Sequence, residues 1–180
     1  MENKEIEILE TAERMIQEGG YNAFSFREIA KAVGIKSSSV HYHYPTKADL
    51  GVAVASYYTD KFIAHLGDPV DLMAVGKDPI RQYVAAFRDA FIKDRRMCLC
   101  GLLGAEVKGL PNSVAAQTKL FFVRNIEWLT HAYEQQGHTT DARDNALRTL
   151  SILEGAMIVS NALDDVDVFY DTLKHFDETR

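Results

Sequence analysis

The chain has 180 residues, with 26 acidic and 20 basic side chains, a formal net charge of −6 and two cysteines. Two cysteines cannot build the disulfide framework of a small secreted domain, and no segment reaches the ~20 apolar residues needed to span a bilayer. The length suffices for one or two domains with a substantial core, and an acidic, amphipathic start unlike a secretory signal gives a cytoplasmic expectation.

The first helix shows in its periodicity. Ile8, Leu9, Ala12, Met15 and Ile16 fall on one face of a 3.6-residue repeat, Glu2 and Glu5 suit the positive end of the helix dipole, and Gly19-Gly20 supplies a stop. A second helix opens at Ser25-x-x-Glu28, a capping box, and buries Phe26, Ile29, Ala30 and Val33. Gly34 ends it, at a position that favours left-handed backbone, and Ile35 follows as a hydrophobic plug.

A third, short helix is predicted from Ser37 to Tyr44, ahead of Pro45. Val40 and Tyr44 are one turn apart and face inward, leaving Ser37, Ser38, Ser39, His41 and Tyr42 outward. That face holds hydrogen-bonding groups and an aromatic ring but no acid, whereas an ordinary surface helix mixes in Glu and Lys. Thr46-x-x-Asp49 is a second capping box, so a fourth helix starts at Lys47 and runs to about His65. Two short helices joined by a glycine turn have the form of a helix-turn-helix, whose second helix enters the DNA major groove. Between Tyr21 and Lys47 the cations Arg27, Lys31, Lys36 and Lys47 face a single acid, Glu28, a local charge of 4 − 1 = +3 in an acidic chain. Phosphate is attracted to that segment and repelled by most of the remainder.

Residues 5–50 resemble the DNA-binding domain of the tetracycline-repressor (TetR/AcrR) family of bacterial transcriptional regulators. The run His41-Tyr42-His43-Tyr44-Pro45-Thr46-Lys47, with Leu50, is similar to the family's Tyr-Tyr-x-Phe-Pro ending of its third helix and the small polar residue, Lys and Leu beyond it. The resemblance implies that Ser25 and Arg27 contact phosphate or a base edge, and that Ser37, Ser38, Ser39 and His41 face the major groove. It further implies that Tyr42 and His43 touch its rim and that Lys47 clamps a phosphate. Lys36 and Ser38 stand where the family often has Ser and Gly, and His41 replaces a common Tyr, so the preferred base sequence stays open.

Beyond residue 66 every recognisable segment reads as helix. Gly67-Asp68-Pro69 closes the fourth. Asp78-Pro79 opens a helix with an apolar stripe of Tyr83, Val84, Phe87, Phe91 and Ile92, closed by Arg95-Arg96. A short apolar helix follows from Cys98 to Lys108, then two long ones near 112–136 and 141–162. In the first of these Val114, Phe121 and Trp128 repeat at seven, as do Ala115, Phe122 and Leu129; in the second Ala146, Leu150, Leu153 and Met157 line one side and Ile152, Gly155, Ala156 and Val159 another. Stripes this wide serve either a core alone or a core and a partner. Members of the similar family dimerise through their last two long helices, which assigns Val114, Phe122, Leu129, Ile152, Ala156 and Val159 to a dimer surface. Two symmetric heads then read a palindrome with half-sites roughly 34 Å or more apart.

The resemblance also implies a ligand cavity within the later helices. Tyr83, Phe87, Phe91, Phe121, Phe122, Trp128 and Tyr133 are candidates for its lining, with plain core as the alternative for each. Cys98 and Cys100 follow Arg95-Arg96, and a nearby cation favours thiolate. Their setting resembles a branch of the family that responds to electrophiles or oxidants, while simple burial is the alternative. Glu106, a carboxylate inside an apolar segment, is expected to serve structure or ligand recognition rather than catalysis.

No motif suggests an enzyme, a cofactor or a metal site. The expectation is therefore an all-α protein with a helix-turn-helix domain over 1–50 and an effector-binding and dimerisation domain over 51–180, joined by the helix at about 47–66. Its expected partners are double-stranded palindromic DNA, a small-molecule effector and a second copy of itself, with no membrane. A helical protein-interaction module that has lost DNA binding is the alternative.

Overall fold

The computed structural model describes residues 2–94 and 96–178, which are helical throughout with no strand. The helices are α1 (Glu2–Gly19), α2 (Phe26–Val33), α3 (Ser37–His43), α4 (Lys47–Leu66), α5 (Pro69–Ala74), α6 (Pro79–Asp94), α7 (Leu99–Ala105), α8 (Asn112–Gln135), α9 (Ala142–Leu163), α10 (Val166–Leu173) and α11 (His175–Glu178). The chain forms two compact units, residues 1–61 with 99–121 and residues 62–98 with 122–180. These cut across the expected division at residue 50, because the segment beginning with α7 returns to pack on α1.

In the first unit α1 packs on α2, and α2 on α3. The predicted face of α1 is inward: Ile8, Leu9, Ala12 and Ile16 are buried and Met15 is half-buried. Phe26, Ile29 and Ala30 of α2 and Val40 of α3 complete this small core. In the second unit the main packing is α10 on α9, and the buried Phe169 of α10 also meets the buried Phe91 of α6.

Several local readings need correction. Gly67-Asp68-Pro69 is a start as well as a stop. Asp68 accepts the Val70 N–H at 2.8 Å and Pro69 occupies the first turn of α5, a short helix with too little periodicity to predict. The expected helix over 98–108 breaks after Ala105 into a separate 3₁₀ turn at Val107–Gly109, so Cys98 precedes α7 rather than lying on it. α10 and α11 carry no expectation from the sequence; Asp164 at φ 51° ends α9, and the Asp165 side chain caps α10 by accepting the Asp167 N–H. Arg95 lies outside the described residues, and with it the expected Arg95-Arg96 helix ending.

Candidate nucleic-acid interface and the second unit

The geometry of α3 is set from both ends. Gly34 adopts φ 72°, which lets its own N–H and that of Ile35 bond back to the Ala30 carbonyl and turn the chain. After α3 the Tyr44 ring is buried, and its hydroxyl donates to the Glu5 carboxylate of α1 at 3.3 Å. Burial, then the Glu5 charge, pushes the Tyr44 hydroxyl well above its ordinary acidity range. With Val40 fully buried between these anchors, the opposite face of α3 is fixed outward.

That face carries the expected side chains. Ser38, His41 and Tyr42 are exposed, Tyr42 at 81%, while Ser37, Ser39 and His43 are half-buried. The His41 ring packs edge-on against Phe26, 4.5 Å between centroids, and Tyr42 meets His43 in the same way at 5.5 Å. These contacts restrict ring motion and lower the entropy lost when the face is covered.

The flanking cations differ in freedom. Arg27 and Lys36 are exposed. Lys47 is half-buried, its ammonium 4.4 Å from the Phe24 ring centroid and 5.0 Å from that of Tyr21. Burial lowers the Lys47 pKa, the nearby Glu28 charge opposes that, and the rings fix where its charge sits.

Ser25 is placed differently from the expectation. Its hydroxyl donates to the Glu28 carboxylate at 2.6 Å and accepts the Glu28 N–H at 3.3 Å. A hydroxyl whose hydrogen is committed to a carboxylate cannot donate it to a phosphate, so Ser25 acts as the cap of α2 in this arrangement. The second capping box is fully reciprocal: Thr46 Oγ1 accepts the Asp49 N–H at 3.1 Å, and Asp49 accepts the Thr46 N–H at 2.9 Å.

Glu106 is structural. Its carboxylate accepts the Tyr21 N–H at 3.0 Å, joining the end of α7 to the turn that precedes α2. Gly20, at φ 80°, makes this close approach possible: a Cβ there would lie 2.2 Å from Glu106 Oε1. The sequence signal was a Gly-Gly pair that reads as a flexible stop; the contact that requires it is 85 residues away.

The expected ligand lining does not gather in one chamber. Tyr83, Phe87 and Trp128 are buried and pack mutually, with Tyr83 stacked on Phe87 at 5.3 Å and 5.5 Å from Trp128. Phe91 instead packs on Phe169 at 4.8 Å, and Phe121 belongs to the first unit, 5.8 Å from Tyr58. Cys98 and Cys100 are both buried and form no disulfide. A half-open pocket of about 390 Å³ in the second unit is lined by Tyr133, the one expected aromatic among its lining, together with residues that include Thr149, Ile152, Arg81 and Arg148.

The dimer expectation needs a correction on the same grounds. Val114 and Leu129 are fully buried and Ala156 is 6% exposed, so they have no surface left for a partner. Phe122 and Ile152 are half-buried, and Val159 alone of the six is exposed. The outward apolar residues of α9 are Leu147, Ile158, Val159 and Leu163, with Val123 on α8. A seven-residue repeat identifies a stripe but cannot say which of two adjacent stripes faces the chain's own core.

The sequence reading missed a buried polar group in the second unit. Tyr83 donates its hydroxyl hydrogen to the fully buried Asn125 at 2.6 Å, and both Glu154 carboxylate oxygens are buried. Burial pushes the Glu154 carboxyl up to about 7, with the Cys98 thiol acting weakly in the other direction. On a helix with apolar residues nearly all round, a single Glu was indistinguishable from an exposed one.

The arrangement is shared with known proteins. Residues 8–54 match the family described as bacterial regulatory proteins, tetR family. A TetR transcriptional regulator of Legionella pneumophila is 36% identical with a TM-score of 0.89, the match covering 96% of this chain and 95% of that one. YuxN, an HTH-type transcriptional regulator of Bacillus subtilis, is 31% identical over 83 residues, 46% of this chain and 28% of that protein. The transcriptional regulator AcuR of Cereibacter sphaeroides is 30% identical over 105 residues, 56% of this chain and 48% of its own. The matched stretch thus spans between about a quarter and a half of these two curated relatives. With a helix-turn-helix held as described and near-complete coverage by a solved TetR regulator, the chain is a member of the TetR family of bacterial transcriptional regulators.

Proposed function

We propose that the protein binds a palindromic operator as a homodimer and leaves it when a small molecule occupies the second unit, acting as a repressor in the cytoplasm. The observation that supports this best is the outer side of α3: Ser38, His41 and Tyr42 exposed, without an acid, and held rigidly by Val40 and Tyr44. Hydroxyls and imidazole read base edges, while Arg27, Lys36 and Lys47 neutralise phosphate. Ser37, Ser39 and His43, half-buried, meet DNA at the margins of this face, and Ser25 contributes by capping α2.

Two protomers join through the outer side of α9, where Ile158, Val159 and Leu163 are 50%, 48% and 63% exposed. An effector that favours one separation of the heads shifts the population away from the DNA-competent form, and ~1–3 kcal/mol of coupling changes affinity roughly 5–150-fold. The effector is a small organic molecule or a reactive electrophile or oxidant, with Cys98 and Cys100 as the groups the latter would modify.

The test is titration of a fluorescent fragment from the protein's own promoter. Binding that weakens linearly in log–log form as salt rises supports the reading. Salt-independent binding, or none at any salt concentration, contradicts it and favours a helical protein-interaction module.

A further inference from the structure

The half-open pocket of the second unit is built where the first turn of α6, the end of α8, the first half of α9 and α11 come together. Its volume of about 390 Å³ lies within the range of small-ligand sites. Part of its wall is apolar. The Tyr133 ring, Ile152 and Phe176 are half-buried there, and the Tyr133 hydroxyl is hydrogen-bonded to that of Thr149 at 2.7 Å. Two guanidinium groups, Arg81 and Arg148, also line the pocket, against a single acid, Asp78. That acid is already committed. Its Oδ1 accepts the Ile80 and Arg81 N–H groups at 2.9 and 3.1 Å, capping α6, and the Gln136 amide at 2.8 Å. Its Oδ2 lies 3.9 Å from Arg81 Nε. Arg148 is exposed and makes no ion pair among the described residues. In a chain of net charge −6, the pocket thus carries 2 − 1 = +1, with its lining His138 and His175 counted as neutral.

We propose that this pocket binds a small planar organic carboxylate, an aromatic monoacid of one or two rings. The carboxylate meets the Arg148 guanidinium, whose planar fork matches two oxygens at once. The ring lies against Tyr133, Ile152 and Phe176, where an aromatic face finds apolar and aromatic surface. Other ligand classes fit less of the pocket. An uncharged apolar molecule makes no use of the guanidinium groups, and a small inorganic anion leaves the aromatic wall in water. The pocket is also separate from the aromatic cluster of Tyr83, Phe87 and Trp128, none of which lines it. The assignment deepens the effector reading above by naming a ligand class, and rests on that reading only for its effect on DNA. Binding is measured without DNA, so failure to bind a promoter fragment and failure of this site are separate results.

The experiment is isothermal titration calorimetry of the full chain with 2-naphthoate and with 2-naphthamide, which has the same shape without the charge. Naphthoate is expected to bind, and the amide to bind at least about tenfold more weakly, because charge-assisted hydrogen bonds exceed neutral ones. Acetate, the charge without the rings, is expected to compete at least about tenfold less well than naphthoate. R148M changes an exposed side chain and is expected to weaken naphthoate at least about tenfold while leaving the amide unchanged. R88M removes an exposed arginine of α6 that does not line the pocket, and is expected to change neither affinity. That control separates a contact in the pocket from general attraction of an anion to positive charge. No naphthoate binding, equal affinity for acid and amide, or acetate competing as well as naphthoate would overturn the proposal. So would an unchanged R148M, or an equal loss in R148M and R88M.

Discussion

The two units use polar side chains in opposite ways. On α3 the hydroxyls, imidazole and phenol point outward, and the residues that fix them, Val40 and Tyr44, are buried. In the second unit Tyr83, Asn125 and the Glu154 carboxylate point inward, and the C-terminal half of α9 exposes the apolar Ile158, Val159 and Leu163. An outward polar face suits a large, rigid, hydrated polyanion. Inward polar groups suit a partner small enough to be enclosed, and an apolar outside suits a second copy of the chain.

The contrast breaks most completely at the apolar outside of α9. Ile158→Asp with Leu163→Asp is expected to leave a folded monomer by sedimentation. Its operator affinity should fall by roughly 10²–10⁴, the effective-concentration gain of linking two heads. A double variant that remains dimeric would move the interface elsewhere.

The next effect is at the joint beneath the head. Gly20→Ala forces a Cβ to within 2.2 Å of Glu106 Oε1 at φ 80°, ψ −175°, backbone almost exclusive to glycine. A loss of about 3 kcal/mol by urea unfolding is expected. If glycine is needed there only for flexibility, the loss will stay under ~1 kcal/mol.

Glu154 sharpens the account of the inner polar group. Its folded pKa, about 7, is above the ordinary 4.5, so the folded state binds more protons than the unfolded state between those values. Stability on this account is greatest below pH 4.5, falls as pH rises through 7, and then levels off. Glu154→Gln, which removes the buried charge, is expected to raise stability by about 1–3 kcal/mol at pH 8 and to change it little at pH 5. Denaturant melts at the two pH values give the comparison, and an equal shift at both would mean the carboxyl is not the titrating group.

The smallest effects lie on the outward face. His41→Ala is expected to cost ~1–3 kcal/mol on the preferred operator and much less on others, while Lys36→Ala weakens all sequences alike and reduces the salt slope by about 1. Ser25→Ala is expected to cost about 1 kcal/mol of stability through its cap, with no change in salt slope.

The two units also differed in how far the sequence disclosed them. The head was legible because its signals are local. Each capping box spans four residues, Gly34 with Ile35 marks one turn, and the acid-free face of α3 is seven residues long. The two long helices near 112–135 and 142–163, the first of them divided between the units at Phe121, were equally plain. What those helices do was not legible, since inner and outer stripes are both apolar and differ only in what folds against them. Val114, Leu129 and Ala156 were assigned outward for that reason and are buried. Glu106 was obscure for a related reason, because it takes its role from Tyr21, 85 positions away.

The central claim is that the outer side of α3 lies against a duplex, and site-specific photo-crosslinking tests it most directly. Benzophenone-bearing side chains would be placed at Tyr42, 81% exposed on α3, and at Val70, 46% exposed on α5. The proteins would then be irradiated with a labelled promoter fragment. The account predicts crosslinked DNA from position 42 and none from position 70. Crosslinking from 70 without 42, or equal yields from both, would contradict it.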